Sequence, residues 1–346
     1  QRCSAKRAAW GESAPGRPLA FAGHASYPTP MTIFRHSETL PDEARGGVVA
    51  IGNFDGVHLG HQVLLERVKR QAAEAGAPSF VLTFEPHPRE VFQPDQPAFR
   101  LTPFRIKARV LESLGIDHMV AVHFDREFSQ RSAESFVEDI LLEGMGISHV
   151  VIGWDFCFGH KRRGNAQLLA QMGERLGFGL SVVEPVTAAE GGAVFSSSLI
   201  RERLREGDPK GAAALLGRAF EIEGRVEKGQ QLGRTLGFPT ANLRLDGYLE
   251  PKHGIYAVRA GVDEGGETRY LPGVANLGRR PTVEGKDTLL ETFLFDWSGD
   301  LYGKHLRVQL VEFLRAEEKF ESLEAMTEQM RRDSDRARRA LQESEA

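Results

Sequence analysis

Cysteine is almost absent from this chain, whose 346 residues include only Cys3 and Cys157. The two cysteines lie far apart and form no C-x-x-C pair of the kind that binds zinc or forms a redox disulfide. This scarcity argues against a disulfide scaffold and against structural zinc. It is typical of proteins from a reducing compartment and predicts a cytoplasmic location.

Long apolar runs and an excess of basic charge are lacking too. No uninterrupted apolar stretch approaches the ~18 residues that a membrane helix needs. The formal net charge is -4, so no overall positive field attracts nucleic acid or a membrane surface. We therefore expect no nucleic-acid partner and no membrane partner, and the sequence implies no protein partner.

A phosphate-binding P-loop is also missing. The nearest match is the stretch 229–235, but its glycine spacing is one residue short and Arg234 stands where the lysine belongs. Nucleotide chemistry in this chain must therefore depend on other groups.

The chain is long enough for two domains of ordinary size. Residues 1–30 are rich in Ala, Gly, Pro and Ser and have no apolar period, so we expect a disordered or non-native extension before a natural start at Met31. The pattern of the remaining residues predicts one domain over 31–216 and a second over 217–346.

Residues 31–216 alternate between strand and helix patterns. Strands are predicted at 48–51, 79–84, 118–122, 150–153 and 180–186, and helices at 61–75, 103–114, 133–142 and 166–176. Such alternation indicates a parallel sheet with helices on both faces, a Rossmann-like α/β fold. Ligands of these sheets bind at the carboxyl ends of strands, so we expect the chemistry in the loops after Ile51, Phe84 and Gly153.

The pattern changes to short β-type stretches after about Arg218. Glycine and polar turns separate predicted strands at 220–226, 254–259, 269–274, 289–295 and 306–313. This spacing predicts a small antiparallel β-barrel or sandwich. An amphipathic, charge-rich helix is predicted over 322–341 and closes the chain.

The first candidate site is the loop GNFDGVHLGH at 52–61. His58 and His61 share one face of a helical turn whose free N–H groups and positive dipole end suit phosphate, and Gly60 lets the backbone approach it. We predict that the imidazoles stabilise charge developing on an attacked α-phosphate. The alternative is that they only cap the helix. The other loop residues expected to bind ATP are Gly52, Asn53, Phe54 and Asp55.

A serine run, Ser196, Ser197 and Ser198, opens a later helix that also carries Arg201. Hydroxyls and N–H groups there suit phosphates, and the guanidinium suits the leaving pyrophosphate, although an ordinary serine N-cap would have the same sequence. Together with the histidine loop, this segment resembles the two signatures of the H-x-G-H nucleotidylyltransferase superfamily.

Aromatic residues and prolines follow two other strands and suggest a wall for a planar ring. Turn or core aromatics are the alternative. With the histidine loop, these segments resemble the FMN adenylyltransferase domain of bifunctional bacterial riboflavin kinase/FAD synthetases, and the resemblance runs from Val48 to Leu216. It implies a flavin site formed by Phe84, Pro86, His87, Pro88, Asp155, Phe156 and Phe158. Cys157 stands where the family commonly has a basic residue; the cluster 161–163 either compensates or is ordinary surface charge.

The most diagnostic stretch combines closely spaced glycines with the run GFPTAN at 237–242. Glycines allow a backbone to wrap a triphosphate, and Thr240 and Asn242 point the same way on an incipient strand, with neutral oxygens that suit Mg²⁺. A glycine-rich hairpin is the alternative. The stretch resembles the riboflavin kinase signature, which implies that Thr240 and Asn242 hold metal–ATP. The other residues expected at this ATP site are Gly224, Gly229, Gly233, Gly237 and Pro239.

Glu291 matches the catalytic glutamate of the same kinase family, whose resemblance covers Arg218 to Leu341. Such a base would take the proton from the ribityl 5′-hydroxyl of riboflavin. The resemblance further implies flavin contacts from Asn276, Arg279 and Thr282, although those arginines could equally be surface charge. Phe293 departs from a family pattern that often has a polar residue there.

The resemblance implies an enzyme that phosphorylates riboflavin to FMN and then adenylylates FMN to FAD, with ATP as co-substrate and Mg²⁺ as cofactor. Two alternatives stay open. One is a kinase whose adenylyltransferase is weakened by Cys157, and the other is a flavin- or nucleotide-binding regulator without turnover. The weakest hypothesis is a tRNA-binding synthetase, a class that shares the H-x-G-H signature, because nothing in the sequence supplies a basic tRNA-binding surface or an anticodon domain.

Overall fold

The computed structural model describes residues 30–35, 40–187, 192–228, 238–282 and 285–344. These residues form two six-stranded sheets, of which the first is parallel and the second antiparallel. The predicted fold class is confirmed: an α/β half precedes a near-closed antiparallel barrel with a terminal helix. The predicted extension, apart from residue 30, lies outside the described residues.

The parallel sheet has the strand order β1-β4-β3-β2-β5-β6. Its strands are β1 (Thr32–Phe34), β2 (Val48–Ile51), β3 (Ser79–Glu85), β4 (His118–His123), β5 (His149–Gly153) and β6 (Gly179–Val183). The central strand β2 lies between β3 and β5. The loops that follow these three strands therefore meet at one edge of the sheet, as the sequence predicts.

Seven α-helices in the described part of this half cover the sheet and lead to the barrel. They are α1 (Leu59–Ala75), α2 (Pro88–Phe92), α3 (Phe104–Ser113), α4 (Ala133–Ser135), α5 (Ala166–Leu176), α6 (Ser197–Glu206) and α7 (Pro209–Leu216). In α1 the apolar stripe Leu64, Leu65 and Val68 is buried. Gly76 ends this helix at φ 61°, a left-handed conformation that glycine adopts without steric cost.

One predicted helix differs in its winding. The α-helical part of 133–142 stops at Ser135, and a π-helix continues from Phe136 to Gly144. The wider winding buries Phe136, Val137 and Ile140 against the sheet. An apolar spacing of three and four residues fits either winding, so periodicity alone could not distinguish them.

The second sheet has the strand order β7-β12-β9-β10-β11-β8. Its strands are β7 (Phe220–Arg225), β8 (Ala241–Arg244), β9 (Gly254–Val262), β10 (Leu271–Thr282), β11 (Gly285–Leu294) and β12 (His305–Arg315). The helix α8 (Leu323–Glu343) begins after an N-cap serine, Ser322, and packs Ala337 and Leu341 against the outer face of the barrel.

The two halves share a hydrophobic core and a charged contact. Leu101, Ile200 and Leu204 of the α/β half belong to the same buried cluster as the barrel interior. Beside it, Arg109 of α3 lies 2.6 Å from Glu223 and 2.9 Å from Asp263. The halves therefore contact each other through an apolar core with ion pairs alongside.

Candidate active sites

The histidine loop joins β2 to α1 and has an unusual backbone. Phe54 and Val57 adopt positive φ angles of 48° and 43°, which non-glycine residues rarely do. The ring of Phe54 is buried and lies edge-on to His61, with centroids 5.2 Å apart. The buried Phe54 ring therefore packs against His61, whereas its predicted role is in binding ATP.

His58 and His61 are stacked at the start of α1. Their ring centroids are 3.7 Å apart, and the rings are inclined by 19°. The Nδ1 atom of His58 accepts a hydrogen bond from the backbone N–H of His61 at 3.3 Å, so His58 does cap the helix. Because Nδ1 is an acceptor, a neutral His58 carries its proton on Nε2, where it can be donated.

Burial keeps both imidazoles neutral. It lowers the pKa of His58 to about 4, against a smaller opposing effect of Asp55. It lowers the pKa of His61 well below its usual value, and His58 and Lys107 add to that effect. Neutral rings at pH 7 act as hydrogen-bond donors and not as fixed cations.

The serine helix α6 is attached to the histidine loop. The Ser197 hydroxyl donates to the Asp55 carbonyl at 2.7 Å, and Ser196 caps α6 by accepting from the Leu199 N–H. Arg201 pairs with the buried carboxylate of Asp55 at 2.5 Å. Ser198 is exposed at the same helix start. The histidine loop and the serine helix are thus in direct contact, through Ser197 and Arg201.

Asp55 itself is committed to the protein interior. It is 3% exposed, and its Oδ1 accepts from the backbone N–H groups of Leu101 and Thr102. Its carboxylate therefore holds the loop in place and is not free to contact a ligand, whereas Asn53 in the same loop is exposed. A Cβ on Gly60 would lie 3.2 Å from the His58 ring and 3.3 Å from Phe195 Cβ, which explains the need for glycine.

The predicted flavin wall is mixed in character. Phe156 and Phe158 stack with centroids 5.5 Å apart, but Phe158 is buried, whereas Phe84 is half-buried and Asp155 is exposed. The segment 86–88 leads into α2, where the His87 Nδ1 accepts from the Arg89 N–H. Burial lowers the pKa of His87 to about 4. Within this set Phe84, Phe156 and Asp155 are therefore at least partly accessible, whereas Phe158 belongs to the core.

Two cations near the end of β3, Lys107 and Arg100, are not predicted from the sequence. Lys107 of α3 is 1% exposed, and its Nζ donates to the Thr83 hydroxyl at 3.2 Å. Arg100 is bound by Glu85 and Glu90. Lys107 lies in α3, whose sequence has an ordinary amphipathic pattern. The spacing of apolar residues therefore does not indicate that this lysine points inward.

The barrel carries a row of polar residues across three neighbouring strands. Glu291 of β11 lies opposite Asn242 of β8 on one side and opposite Asn276 of β10 on the other. Residues paired in this way project from the same face of a sheet. Asn242 is buried, and the buried Oδ1 of Asn276 has no hydrogen-bond partner among the described residues.

The other predicted kinase residues are more scattered. Thr240 is half-buried and Pro239 exposed just before β8, while Gly224 lies near the end of β7. Arg279 is three residues beyond Asn276 and therefore projects from the opposite face, where it pairs with Glu250 at 2.8 Å. Thr282 ends β10, and the predicted ATP-binding residues Gly229, Gly233 and Gly237 lie outside the described residues.

Fold and site together define a nucleotidylyltransferase-type α/β domain fused to a β-barrel with a polar Asn–Glu–Asn row. A family model described as FAD synthetase matches residues 40–199, and one described as riboflavin kinase matches residues 216–341. No helix in the part of the chain that the structure describes is long and apolar enough to cross a membrane.

Individual proteins agree with the family models. A bifunctional riboflavin kinase/FMN adenylyltransferase of Escherichia coli K12 is 42% identical over 89% of this chain and 97% of its own length. Another from Pseudomonas fluorescens is 41% identical over 86% of this chain and 93% of its own. The chain belongs to the bifunctional riboflavin kinase/FMN adenylyltransferase family.

A solved structure shares the whole architecture. It is described as a macrolide-efflux protein from Streptococcus pneumoniae, is 27% identical, and superposes with a TM-score of 0.78 over 90% of this chain and 99% of that one. The likeness supports the arrangement of the two sheets seen here.

Proposed function

We propose that this enzyme carries its two activities in two separate sites, one in each half. The barrel, within residues 217–346, phosphorylates riboflavin to FMN, and the α/β half, within 31–216, adenylylates FMN to FAD. The observation that carries the proposal is the row Asn242–Glu291–Asn276, because it places a carboxylate between two amides on one face of the barrel. In the α/β half, the stacked pair His58 and His61 marks the proposed adenylyltransferase site.

In the barrel, Glu291 is the base. Its carboxylate accepts the proton of the ribityl 5′-hydroxyl as that oxygen attacks the γ-phosphorus of ATP, and ADP leaves. Asn276, whose Oδ1 has no described partner, lies next to this carboxylate and can orient the hydroxyl or the flavin. The exposed Arg279 projects from the other face, where it pairs with Glu250.

The same residues fit a magnesium ion. Mg²⁺ takes hard oxygen ligands and keeps several waters, so few protein oxygens suffice. The buried Asn242, which lies opposite Glu291, and the half-buried Thr240 two residues before it offer neutral oxygens. The Oδ1 of Asn276, which has no described partner, adds another polar atom. Thr240 and Asn242 would hold the ion, which when bound neutralises charge on the ATP phosphates.

In the α/β half, the FMN phosphate attacks the α-phosphorus of ATP and pyrophosphate leaves. The nucleophile is already ionised, so the site must position the reactants and stabilise charge. The Nε2–H of His58 and the neutral ring of His61 donate toward the α-phosphate, while the start of α6 with Ser198 receives the outgoing phosphates. Phe84, Phe156, His87 and the prolines beside it form the flavin side of the site.

Incubation of the protein with riboflavin, ATP and Mg²⁺, followed by chromatography of the flavins, tests the proposal. We expect FMN to appear first and FAD to follow, with FAD forming directly when FMN is supplied. Bound but unchanged riboflavin would instead identify a flavin-binding regulator. A cytoplasmic location, as the cysteine content predicts, is compatible with these soluble substrates and stays a prediction.

A further inference from the structure

The junction between the two halves contains an arginine that contacts the histidine loop. Arg218 lies between the end of α7 at Leu216 and the start of β7 at Phe220. Its Nη2 donates to the Gly56 carbonyl at 2.7 Å, and its Nη1 lies 3.3 Å from the carbonyls of Val57 and Leu216. The planar guanidinium therefore binds two consecutive carbonyls of the loop and one of the junction.

The loop needs such support because its backbone is unfavourable in isolation. Gly56 has a φ of 90° and Val57 a φ of 43°, and a β-branched residue holds a positive φ only when its surroundings impose it. The Gly56 N–H donates to Thr102 Oγ1 at 2.8 Å, and Gln62 Nε2 donates to the Val57 carbonyl at 3.0 Å. Arg218 adds a charged donor from outside the parallel sheet.

The carbonyls that Arg218 binds, those of Gly56 and Val57, immediately precede the two histidines of the proposed site. Val57 precedes His58, whose Nδ1 caps α1 and whose ring stacks on His61. A change at the Gly56 and Val57 carbonyls therefore moves the ring that must meet the α-phosphate. Misplacement of about 1 Å in a catalytic group can lower a rate by about 10²-fold.

The charge of Arg218 also reaches both histidines. After burial and the opposing effect of Asp55, Arg218 and Arg201 lower the pKa of His58. After burial, His58, Lys107 and Arg218 lower the pKa of His61. These are the charged groups that face the pair, and loss of Arg218 removes one cation that favours the neutral rings.

We propose that Arg218 is a positioning residue for adenylyl transfer, acting through the Gly56 and Val57 carbonyls. The inference rests on the proposed function of the histidine loop. It means that the adenylyltransferase site is completed by a side chain from the stretch that leads into the kinase barrel, so the junction is part of the site's architecture.

Arg109 offers a matched control. It also lies at the contact between the halves, where it binds Glu223 and Asp263, but it makes no described hydrogen bond to the histidine loop. Arg218→Gln and Arg109→Gln each remove one interfacial arginine, and only the first removes the contact with the loop. Arg218→Lys keeps the charge but loses the forked geometry.

The experiment measures FMN adenylyltransferase kcat and KM, riboflavin kinase activity and thermal unfolding for these variants. The adenylyltransferase pH profile is recorded from about pH 3.5 to 8, so that it includes the region near pH 4 where His58 titrates. We expect Arg218→Gln to lower adenylyltransferase kcat about 10- to 100-fold and to move its acid limb to higher pH. Kinase activity should stay within about twofold, Arg218→Lys should recover part of the loss, and Arg109→Gln should leave adenylyl transfer near wild type.

Other results overturn the inference. A folded Arg218→Gln protein with wild-type adenylyltransferase kcat contradicts it, as does an equal loss in Arg109→Gln, which would indicate a general effect of the interface. If Arg218→Gln does not fold, Arg218→Lys provides the test. A wild-type kcat together with an unchanged pH profile in that variant would refute positioning by the forked guanidinium. Failure of the wild-type protein to convert FMN to FAD would refute the proposed function itself, which is a different result.

Discussion

Glu291 and Asn242 lie directly opposite each other on the antiparallel strands β11 and β8. Side chains paired in this way have Cβ atoms about 4.5–5.5 Å apart, so a carboxylate and an amide from distant parts of the sequence meet on one face of the barrel. Asn276 continues the row on the next strand. The ladder register, and not the chain order, assembles the proposed kinase site.

Glu291→Gln tests the base. The amide keeps the size of the side chain but cannot accept the hydroxyl proton, and general-base catalysis is typically worth about 10²–10⁴ in rate. We expect FMN formation from riboflavin to fall by at least about 10²-fold. FAD formation from supplied FMN should stay at the wild-type rate, and a parallel loss of both activities would contradict separate sites.

Asn242→Leu tests the proposed metal site. Leucine has a similar volume but no ligand oxygen, so we expect the Mg²⁺ concentration for half-maximal kinase activity to rise at least about tenfold. Titration of kinase activity with Mg²⁺ measures the shift. Asn242→Asp, which keeps an oxygen, should lie closer to wild type; if the leucine variant titrates like wild type, Asn242 does not hold the metal.

Gly60→Ala tests the close packing at the start of α1. The new Cβ would approach the His58 ring to 3.2 Å and Phe195 Cβ to 3.3 Å, so the ring or Phe195 must shift. We expect adenylyl transfer to fall by about tenfold or more while kinase activity persists. Gly266→Ala is the control, because no atom lies within 4 Å of its new Cβ and both activities should be unchanged.

Arg201→Ala tests the buried pair with Asp55. Asp55 keeps 4% of its side chain exposed, so removal of Arg201 leaves a carboxylate without its cation. Breaking such a buried pair typically costs about 3–5 kcal/mol of stability. Denaturant unfolding should show this loss, whereas Arg175→Ala, which breaks the exposed pair with Glu138, should change stability by less than about 1 kcal/mol.

The buried histidines predict how stability depends on pH. Burial lowers the pKa of His58 and of His87 to about 4, so in the unfolded chain both bind protons more readily than in the fold. The unfolding free energy should therefore decrease as the pH falls from about 6.5 toward 4, by up to about 1.4 kcal/mol per pH unit for each histidine. Denaturant unfolding at pH 7, 6 and 5 measures this slope. His87→Gln should reduce it, and an unchanged slope in that variant would contradict the assignment.

Much of the α/β half could be predicted because its signals are local. The buried strand at 48–51 and the helix that ends at Gly76 are found as predicted, since apolar spacing and a glycine C-cap determine them. The three-residue strand β1 was missed because it is too short to show a period. The helix α7 was missed although Asp208 and Pro209 form a recognisable helix start.

The site could be predicted only in part. H-x-G-H and GFPTAN are contiguous, so both motifs can be recognised from the sequence alone, and the aromatic and serine segments follow from their positions after strands. Lys107 and Arg218 act through tertiary contacts that no local pattern encodes. The inward carboxylate of Asp55 and the opposite faces of Asn276 and Arg279 likewise depend on packing and register.

The most direct test of two separate sites uses His61→Asn and Glu291→Gln, assayed with riboflavin, ATP and Mg²⁺ both singly and as an equimolar mixture. We predict that His61→Asn accumulates FMN, that Glu291→Gln leaves riboflavin unchanged, and that the mixture makes FAD because FMN from one protein is adenylylated by the other. If His61→Asn makes FAD at the wild-type rate, or Glu291→Gln phosphorylates riboflavin at the wild-type rate, the assignment of the two sites is wrong.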